Sequence, residues 1–470
     1  MRYTPTEEEQ QEYLAYDSYH VFFERLEKGL QEIKAYPFHR RKKKVLLIAG
    51  AMVAFDKGTI DFLNEMARRS EEYQYVLLSE VTGENRRKTR DLIAFEAVCT
   101  PHLLAKEILV PHMDVPVSKK AAKYVRDRAY CREAAENLNM RHADIGHGYA
   151  QALVYYADLY LREVLRKFHP DRILLWNEFY AFHWVLRGLC REIKIPVGYM
   201  EFGCIPGTLV IEEKGQQGES YPARHPYKFG RLPVTSAEKE QAGQLLPYLY
   251  KTELNRNVQP RRTGTLERLV KKKSGRPVIT YLGQNDYESG LCPYTARTKR
   301  YHSPIFKSTL EGLEYLRLLS IQNDWTLLYK PHPIVEVLQK IKVLRKGNGY
   351  EYLKDVNINE VIDHSDVLVT ILSQSAYLAL IRGKPAVMLG YTQLRHAGCT
   401  YEAFSRRKIE SQIKEAIRYG YTEKQKQRFQ EHIARLLRYY LWDDRTHPDF
   451  PFGQRIEDGM AHQSMIKRGM

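Results

Sequence analysis

Residues 366–390 read Asp366-Val-Leu-Val-Thr-Ile-Leu-Ser-Gln-Ser-Ala-Tyr-Leu-Ala-Leu-Ile-Arg-Gly-Lys-Pro-Ala-Val-Met-Leu-Gly390. An apolar run from Asp366 to Ile371 leads into two serines and a helical stretch over about Ser375 to Arg382. A Gly-Lys-Pro turn then opens a second apolar run, Pro385 to Leu389. Strand, helix and strand at this spacing predict a parallel pair, since parallel neighbours need a crossover and a helix is the usual one.

The same alternation extends outward. Upstream lie strand-like runs at Pro277–Leu282 and Trp325–Tyr329. Between them Ser303-Pro304 reads as a helix start, with Phe306, Leu310, Leu313 and Leu316 on the buried face. In the first half, Lys44–Gly50, Tyr75–Leu78, Arg172–Trp176 and Pro196–Met200 read as strands. Helical patterns cover Ile60–Arg69, Ser118–Leu138 and Phe182–Ile193. The fold expected is α/β, with two Rossmann-like domains facing across a cleft and helical N- and C-terminal extensions.

The boundaries follow from shifts in pattern. Residues 1–40 form an N-terminal helix with an apolar stripe at Tyr13, Tyr16, Phe22, Phe23, Leu26 and Leu30. Residues 41–230 form the first domain, and 231–275, rich in glycine, proline and charge, the connecting region. Within that region Thr235-x-x-Glu238 is a capping box for a helix to about Tyr250. The second domain spans 276–400. A basic helical tail spans 401–470, helical from Arg406 to Trp442 and carrying Tyr439, Tyr440 and Trp442 at its end.

Composition limits the functions open to the chain. At 470 residues, 43% hydrophobic and 28% charged, it holds two ordinary domains and is not a disordered chain. Its longest strongly apolar stretch, Val45–Phe55, falls short of the roughly 20 residues of a membrane helix. The polar, acidic start MRYTPTEEEQQ does not read as a signal peptide, so a cytoplasmic location is expected. Six scattered cysteines without a CxxC pair read as buried thiols. No His/Cys cluster has metal-ligand spacing, so neither metal nor cofactor is expected.

The net charge of +16 suits nucleic acid, an anionic membrane surface, or phosphorylated and carboxylated substrates. Without a zinc finger, RNP motif or basic zipper, nucleic acid is set aside. The basic runs at 40–44 and 271–273 then read as solvated surface, as a membrane-facing charge or as an anionic-substrate charge.

Ligands of open α/β sheets bind beyond the carboxyl ends of the strands. There Leu327-Leu-Tyr-Lys-Pro-His-Pro333 places Lys330 and His332, with Pro333 stiffening the turn. Other His-Pro pairs occur at His169, His225 and His447, but only His332 directly follows a strong apolar strand. The segment reads either as a structural turn or as a phosphate-binding loop. Ser373, Gln374 and Ser375 likewise read as helix capping or as donors to phosphate. Gly283, Gln284 and Asp286 follow the first strand of the second domain. Asn177 and Glu178 follow Trp176, and Glu201 follows the next strand.

In this order, Lys-Pro-His-Pro, the Ser-x-Ser helix start and the Gly-Lys-Pro-Ala-Val-Met-Leu-Gly turn resemble the C-terminal half of bacterial capsule polysaccharide synthesis proteins. That group includes β-Kdo transferases of GT-B fold. Its His-Pro motif, which holds the nucleotide phosphate, is shared with bacterial sialyltransferases that also use CMP-activated sugars. Trp176-Asn177-Glu178 and Glu201–Thr208 look like the family's acceptor-side loops, so the resemblance covers roughly residues 170 to 390. It departs in two places. Leu378 and Ala379 stand where many GT-B enzymes have a ribose-binding Glu, and Glu201-Phe202-Gly203 has one carboxylate where relatives have an acidic pair.

The resemblance implies a metal-independent glycosyltransferase acting on a nucleotide-sugar donor, with a CMP-sugar favoured. The acceptor would be a surface polysaccharide or lipid-linked saccharide, at an anionic membrane surface. Inverting transfer needs one carboxylate as base, and Glu201 is the first choice, then Asp286, then Glu178. Lys330, His332, Pro333 and Ser373–Ser375 would meet the leaving phosphate, with Gly283, Gln284 and Asn177 lining the site. Two alternatives stand beside this. One is a teichoic-acid-type glycerophosphotransferase using a CDP-alcohol, against which Ile371-Leu372 replaces an Asp before the serines. The other is a non-catalytic scaffold binding membrane or polymer within capsule export.

Overall fold

The computed structural model of the chain describes residues 43–49, 57–79, 97–99, 119–141, 147–179, 181–255, 259–264, 266–267, 270, 275–333 and 349–443. The helix expected at 1–40 and the chain beyond 443 lie outside these.

The first domain runs β1 (Lys43–Ala49), α1 (Lys57–Arg69), β2 (Tyr73–Ser79), β3 (Ala97–Cys99), α2 (Lys119–Asp127), α3 (Ala129–Arg141), α4 (His147–Phe168), β4 (Arg172–Trp176), α5 (Ala181–Ile193), β5 (Val197–Phe202) and β6 (Thr208–Glu212). Its strands stand in the order β3-β2-β1-β4-β5-β6-β13, where β13 (Leu441–Asp443) comes from the far end of the described chain. The first five are parallel and the last two pairings antiparallel. Two short helices follow, α6 (Tyr221–Arg224) and α7 (Pro226–Gly230), and then α8 (Ser236–Thr252).

The second domain runs β7 (Val278–Leu282), α9 (Ala296–Tyr301), α10 (Thr309–Gln322), β8 (Thr326–Lys330), β9 (Glu351–Tyr352), α11 (Ile358–Asp363), β10 (Val367–Thr370), α12 (Ser375–Ile381), β11 (Ala386–Met388) and β12 (Tyr401–Glu402). Then come α13 (Arg406–Tyr419), α14 (Glu423–Tyr439) and β13 (Leu441–Asp443). Its strands pair in the order β9-β8-β7-β10-β11-β12, parallel throughout. Both sheets therefore carry the doubly wound strand order, with switch points between β1 and β4 and between β7 and β10. The fold is α/β with two Rossmann-like units. Every residue of β7 and β8 is buried, which explains why both read as unbroken apolar runs rather than alternating ones.

Four expectations change. The helical pattern over 118–138 is two helices, α2 and α3, meeting at Arg128. Ser303 starts no helix. Its hydroxyl accepts the Phe306 amide at 3.1 Å, and the helix begins six residues later behind Ser308, whose hydroxyl accepts the Glu311 amide at 3.1 Å. The loop expected over Glu201–Thr208 is shorter, because Glu201 and Phe202 close β5 and Thr208 opens the buried strand β6.

The fourth change concerns the tail. Far from standing apart, its described part starts with β12 on the second sheet and ends with β13 paired to β6 on the first. Tyr439, Tyr440 and Trp442 are buried, and Trp442 meets Phe62 edge-to-face at 6.2 Å. Helix α14 packs on α8 through Phe429, Ile433, Leu436 and Leu437 against Ala242, Leu245 and Leu249. These aromatics close the core and are not on offer to a lipid surface. The connecting region also packs, with the Thr235–Glu238 capping box formed and Arg438 reaching Glu238 at 2.9 Å. Among the described residues no helix is long and apolar enough to cross a membrane.

Candidate active site at the strand ends

Three adjacent strands of the second sheet, β10, β7 and β8, end side by side, and neighbouring strands lie about 4.8 Å apart. Their ends carry Ser373–Ser375, Gly283–Gln284 and Lys330–His332 respectively. Hydrogen bonds tie the three ends into one ledge. The Gly283 amide donates to the Lys330 carbonyl at 2.9 Å. The Leu372 amide donates to Gln284 Oε1 at 2.9 Å across the switch point. The second-domain residues that the motifs singled out therefore share one sheet edge.

Local bonds set what each can do. Lys330 is nearly buried, and its ammonium donates to the carbonyl of Lys354, just after β9, at 2.6 Å. Burial, aided by the Lys330 charge, pushes the His332 imidazole down to about 4. His332 is thus neutral near pH 7 and offers one N–H and one lone pair. Pro333 is exposed. At the start of α12, Ser373 Oγ accepts the Ser375 amide at 3.2 Å and Thr370 Oγ1 accepts the Ser373 amide at 3.2 Å. Those two amides are occupied within the turn. What the turn presents is the half-exposed hydroxyls of Ser373 and Ser375 and the Gln374 side chain.

Asp286 is fully engaged in the protein. Its carboxylate accepts the Thr309 amide at 2.9 Å, the Thr309 hydroxyl, and Gln284 Nε2 at 3.3 Å. Burial raises its pKa to about 6, and the Thr309 bonds oppose that rise. It pins the loop after β7 to the start of α10 and is not placed to take a proton from a ligand. Asp286→Asn keeps one acceptor oxygen but turns an amide toward donors. We expect it to cost about 1–3 kcal/mol, read as a lowered midpoint in urea unfolding.

That loop, residues 283–295, is also the bridge to the first domain. Tyr287 donates its hydroxyl to the Met140 carbonyl at 2.6 Å, and Asn137 donates to the Cys292 carbonyl at 3.1 Å. Asn177 reaches the Glu288 carbonyl at 3.5 Å, while its Oδ1 accepts the Phe179 amide at 2.9 Å. Asn177 thus shapes the turn after β4 and touches the opposite domain.

Glu178 lies in a buried ion cluster that spacing along the chain did not reveal. It pairs with Arg187 from α5, accepts the Gln216 amide, and has Arg297 at 3.7 Å. Arg297 holds Glu219 through two bonds, one of 2.6 Å, and His302 Nε2 stands 3.2 Å from the same carboxylate. Burial raises Glu178 to about 7, and Arg187 pulls the other way. The turn bearing Glu219 fits because residue 218 is glycine. A Cβ there would lie 1.8 Å from the Tyr301 carbonyl. With Glu178 sealed behind Arg187, it is a structural charge and not an accessible base.

Glu201 does not follow the strand, as the sequence suggested. It is the penultimate residue of β5, opposite Val210 of β6, and half-buried. It stands at the carboxyl end of its sheet, beside the end of β4.

Residues 294–423 match the family model for capsule polysaccharide biosynthesis proteins. The match contains Lys330, His332 and Ser373–Ser375, the stretch whose motifs carried the resemblance. Among solved structures, the β-Kdo 2,7 transferase KpsC of Thermosulfurimonas dismutans is 18% identical, covering 60% of this chain and 81% of its own, with a TM-score of 0.38. The β-Kdo 2,4 transferase KpsC of the same organism is 16% identical over 51% and 75%, with a TM-score of 0.37. S. aureus MnaA in its UDP co-structure is 12% identical over 91% and 98%, with a TM-score of 0.34. No curated protein matches the chain.

Proposed function

We propose that the protein is a capsule polysaccharide glycosyltransferase that moves an acidic sugar from a CMP-activated donor to a saccharide acceptor. The observation that carries this is the ledge at β10, β7 and β8. Within the segment matching the capsule biosynthesis family, it lines up one cation, one neutral imidazole and two serine hydroxyls at a switch point. These are the groups a departing nucleotide phosphate needs. The Lys330 charge balances the developing anion in a water-poor setting, while His332 and the serines donate hydrogen bonds without reorganising.

A nucleotide sugar brings its own leaving group. The remaining work is to position the acceptor hydroxyl and take its proton. Asp286 and Glu178 are fully buried, whereas Glu201 is half-buried at the carboxyl end of its sheet, and Glu201 is the carboxylate assigned to that step. The test is release of CMP from CMP-Kdo against release of CMP from CDP-glycerol, each with and without an acidic oligosaccharide acceptor. Acceptor-stimulated turnover of CMP-Kdo alone is expected. Turnover of CDP-glycerol alone would establish the glycerophosphotransferase reading, and failure to bind CMP or CDP would establish the scaffold.

A further inference from the structure

A cavity of about 260 Å³ opens where residues 222–231, the loop 393–398 after β11 and the 428–435 stretch of α14 meet. None of the residues at the strand-end ledge lines it. Among the described residues its walls carry Arg231, Arg395, Arg428 and Arg435, and no carboxylate. Two acids stand close by, against the four arginines of the wall. Glu431 is met by Lys239 at 3.0 Å, Arg428 at 3.4 Å and Arg435 at 3.7 Å, and Glu402 by His396 at 2.8 Å, so positive charge remains in excess. Arg231 is exposed, and its guanidinium makes no hydrogen bond or ion pair among the described residues.

Two buried polar atoms in the cavity wall also lack partners among the described residues, Gln393 Oε1, on a side chain 5% exposed, and Arg395 Nε. An unsatisfied buried donor and acceptor are costly, and a ligand bearing both an anionic and a hydroxyl group would satisfy them. At the rim Tyr227, 67% exposed, stacks on His396 with centroids 5.2 Å apart and planes at 12°. A flat exposed ring of this kind offers an apolar platform with a polar tip.

We infer that this cavity is a saccharide subsite for a carboxylated sugar unit. The arginines take the carboxylate, Gln393 takes a hydroxyl, and Tyr227 takes the apolar face of the ring. The volume lies below the roughly 300–1,000 Å³ usual for drug-sized ligands, which suits one sugar unit and not a nucleotide sugar. The assignment rests on the glycosyltransferase reading, for which the subsite would hold the acidic product or acceptor chain away from the reacting end.

Calorimetry on the full chain tests it with three probes: a galacturonic acid trimer, neutral maltotriose and inorganic phosphate. CMP is titrated separately, so that failure of the transferase reading shows there and not here. The uronate trimer is expected to bind and maltotriose not. Each of Arg231→Ala and Arg428→Ala is expected to weaken the uronate about tenfold, as for loss of one charge-assisted hydrogen bond, and their combination about a hundredfold. Tyr227→Ala, which removes no charge, is expected to weaken the uronate while phosphate binding stays as it was. CMP affinity should stay unchanged in all four variants. Equal uronate binding by the parent and the double variant overturns the inference. So does maltotriose binding as tightly as the uronate, or phosphate binding without the uronate.

Discussion

Arg187→Ala is expected to destabilise the protein by about 3–5 kcal/mol. Arg187 is 6% exposed and Glu178 not exposed at all, so the substitution leaves a carboxylate in the interior without its main counter-charge. At 2–4 °C per kcal/mol for a domain of this size, the melting midpoint should fall by roughly 6–20 °C. The defect depends on pH with a defined sign. Burial already holds Glu178 above its ordinary carboxylate value, and losing Arg187 raises it further. The folded variant then keeps a proton that the unfolded chain releases above about pH 4.3. Stability is lost as pH rises towards and through the raised value. The gap in melting temperature between parent and variant should therefore widen from pH 5 to pH 8. Replacing both partners, Glu178→Met with Arg187→Met, should recover most of the loss, because two apolar groups leave no charge behind. A double variant no more stable than Arg187→Ala would show that the pair is not what holds this region.

On the proposed transferase reading, His332→Ala is expected to lower kcat for sugar transfer by about 10²–10³, the usual cost of removing one donor to a developing anion. Folding should be little affected, since His332 sits in a turn and is only half-buried. With its pKa near 4, His332 holds the same neutral form from about pH 5.5 upward, so it should impose no titration limb near 6.5 on the kcat profile. His332→Asn separates the two roles an imidazole can play. If the ring acts as a hydrogen-bond donor, asparagine should restore at least about a tenth of the activity with an unchanged pH profile. Asparagine as inactive as alanine, together with a limb near 6.5 in the parent, would instead assign His332 a proton-transfer role. The two substitutions probe different parts of the molecule. Arg187 reports on packing of the two domains, and His332 on the chemistry at the ledge.

Much of the scaffold is written locally. β4 was legible to the residue, and β5, β7, β8, β10 and β11 within one or two, because central parallel strands are buried on both faces and must be apolar along their length. The Thr235–Glu238 signal was equally readable, since capping is satisfied within four residues of chain. The ledge followed from these. Once the strands alternate with helices, their carboxyl ends share one side of each sheet.

What the sequence by itself determined, then, is the alternation, the two doubly wound sheets and the strand-end positions of Lys330, His332 and Ser373–Ser375. Only the tertiary structure decided which carboxylates are committed. Glu178, Arg187, Glu219, Arg297 and His302 come from separate segments and meet only when the domains close on one another. Charged residues read singly default to solvent. Only it, too, returned the chain's last described strand to the first sheet and assembled the basic cavity from three distant segments. Short-range periodicity records which face of an element is buried. It carries no record of which distant element does the burying, and that pairing fixes both the ion cluster and the cavity.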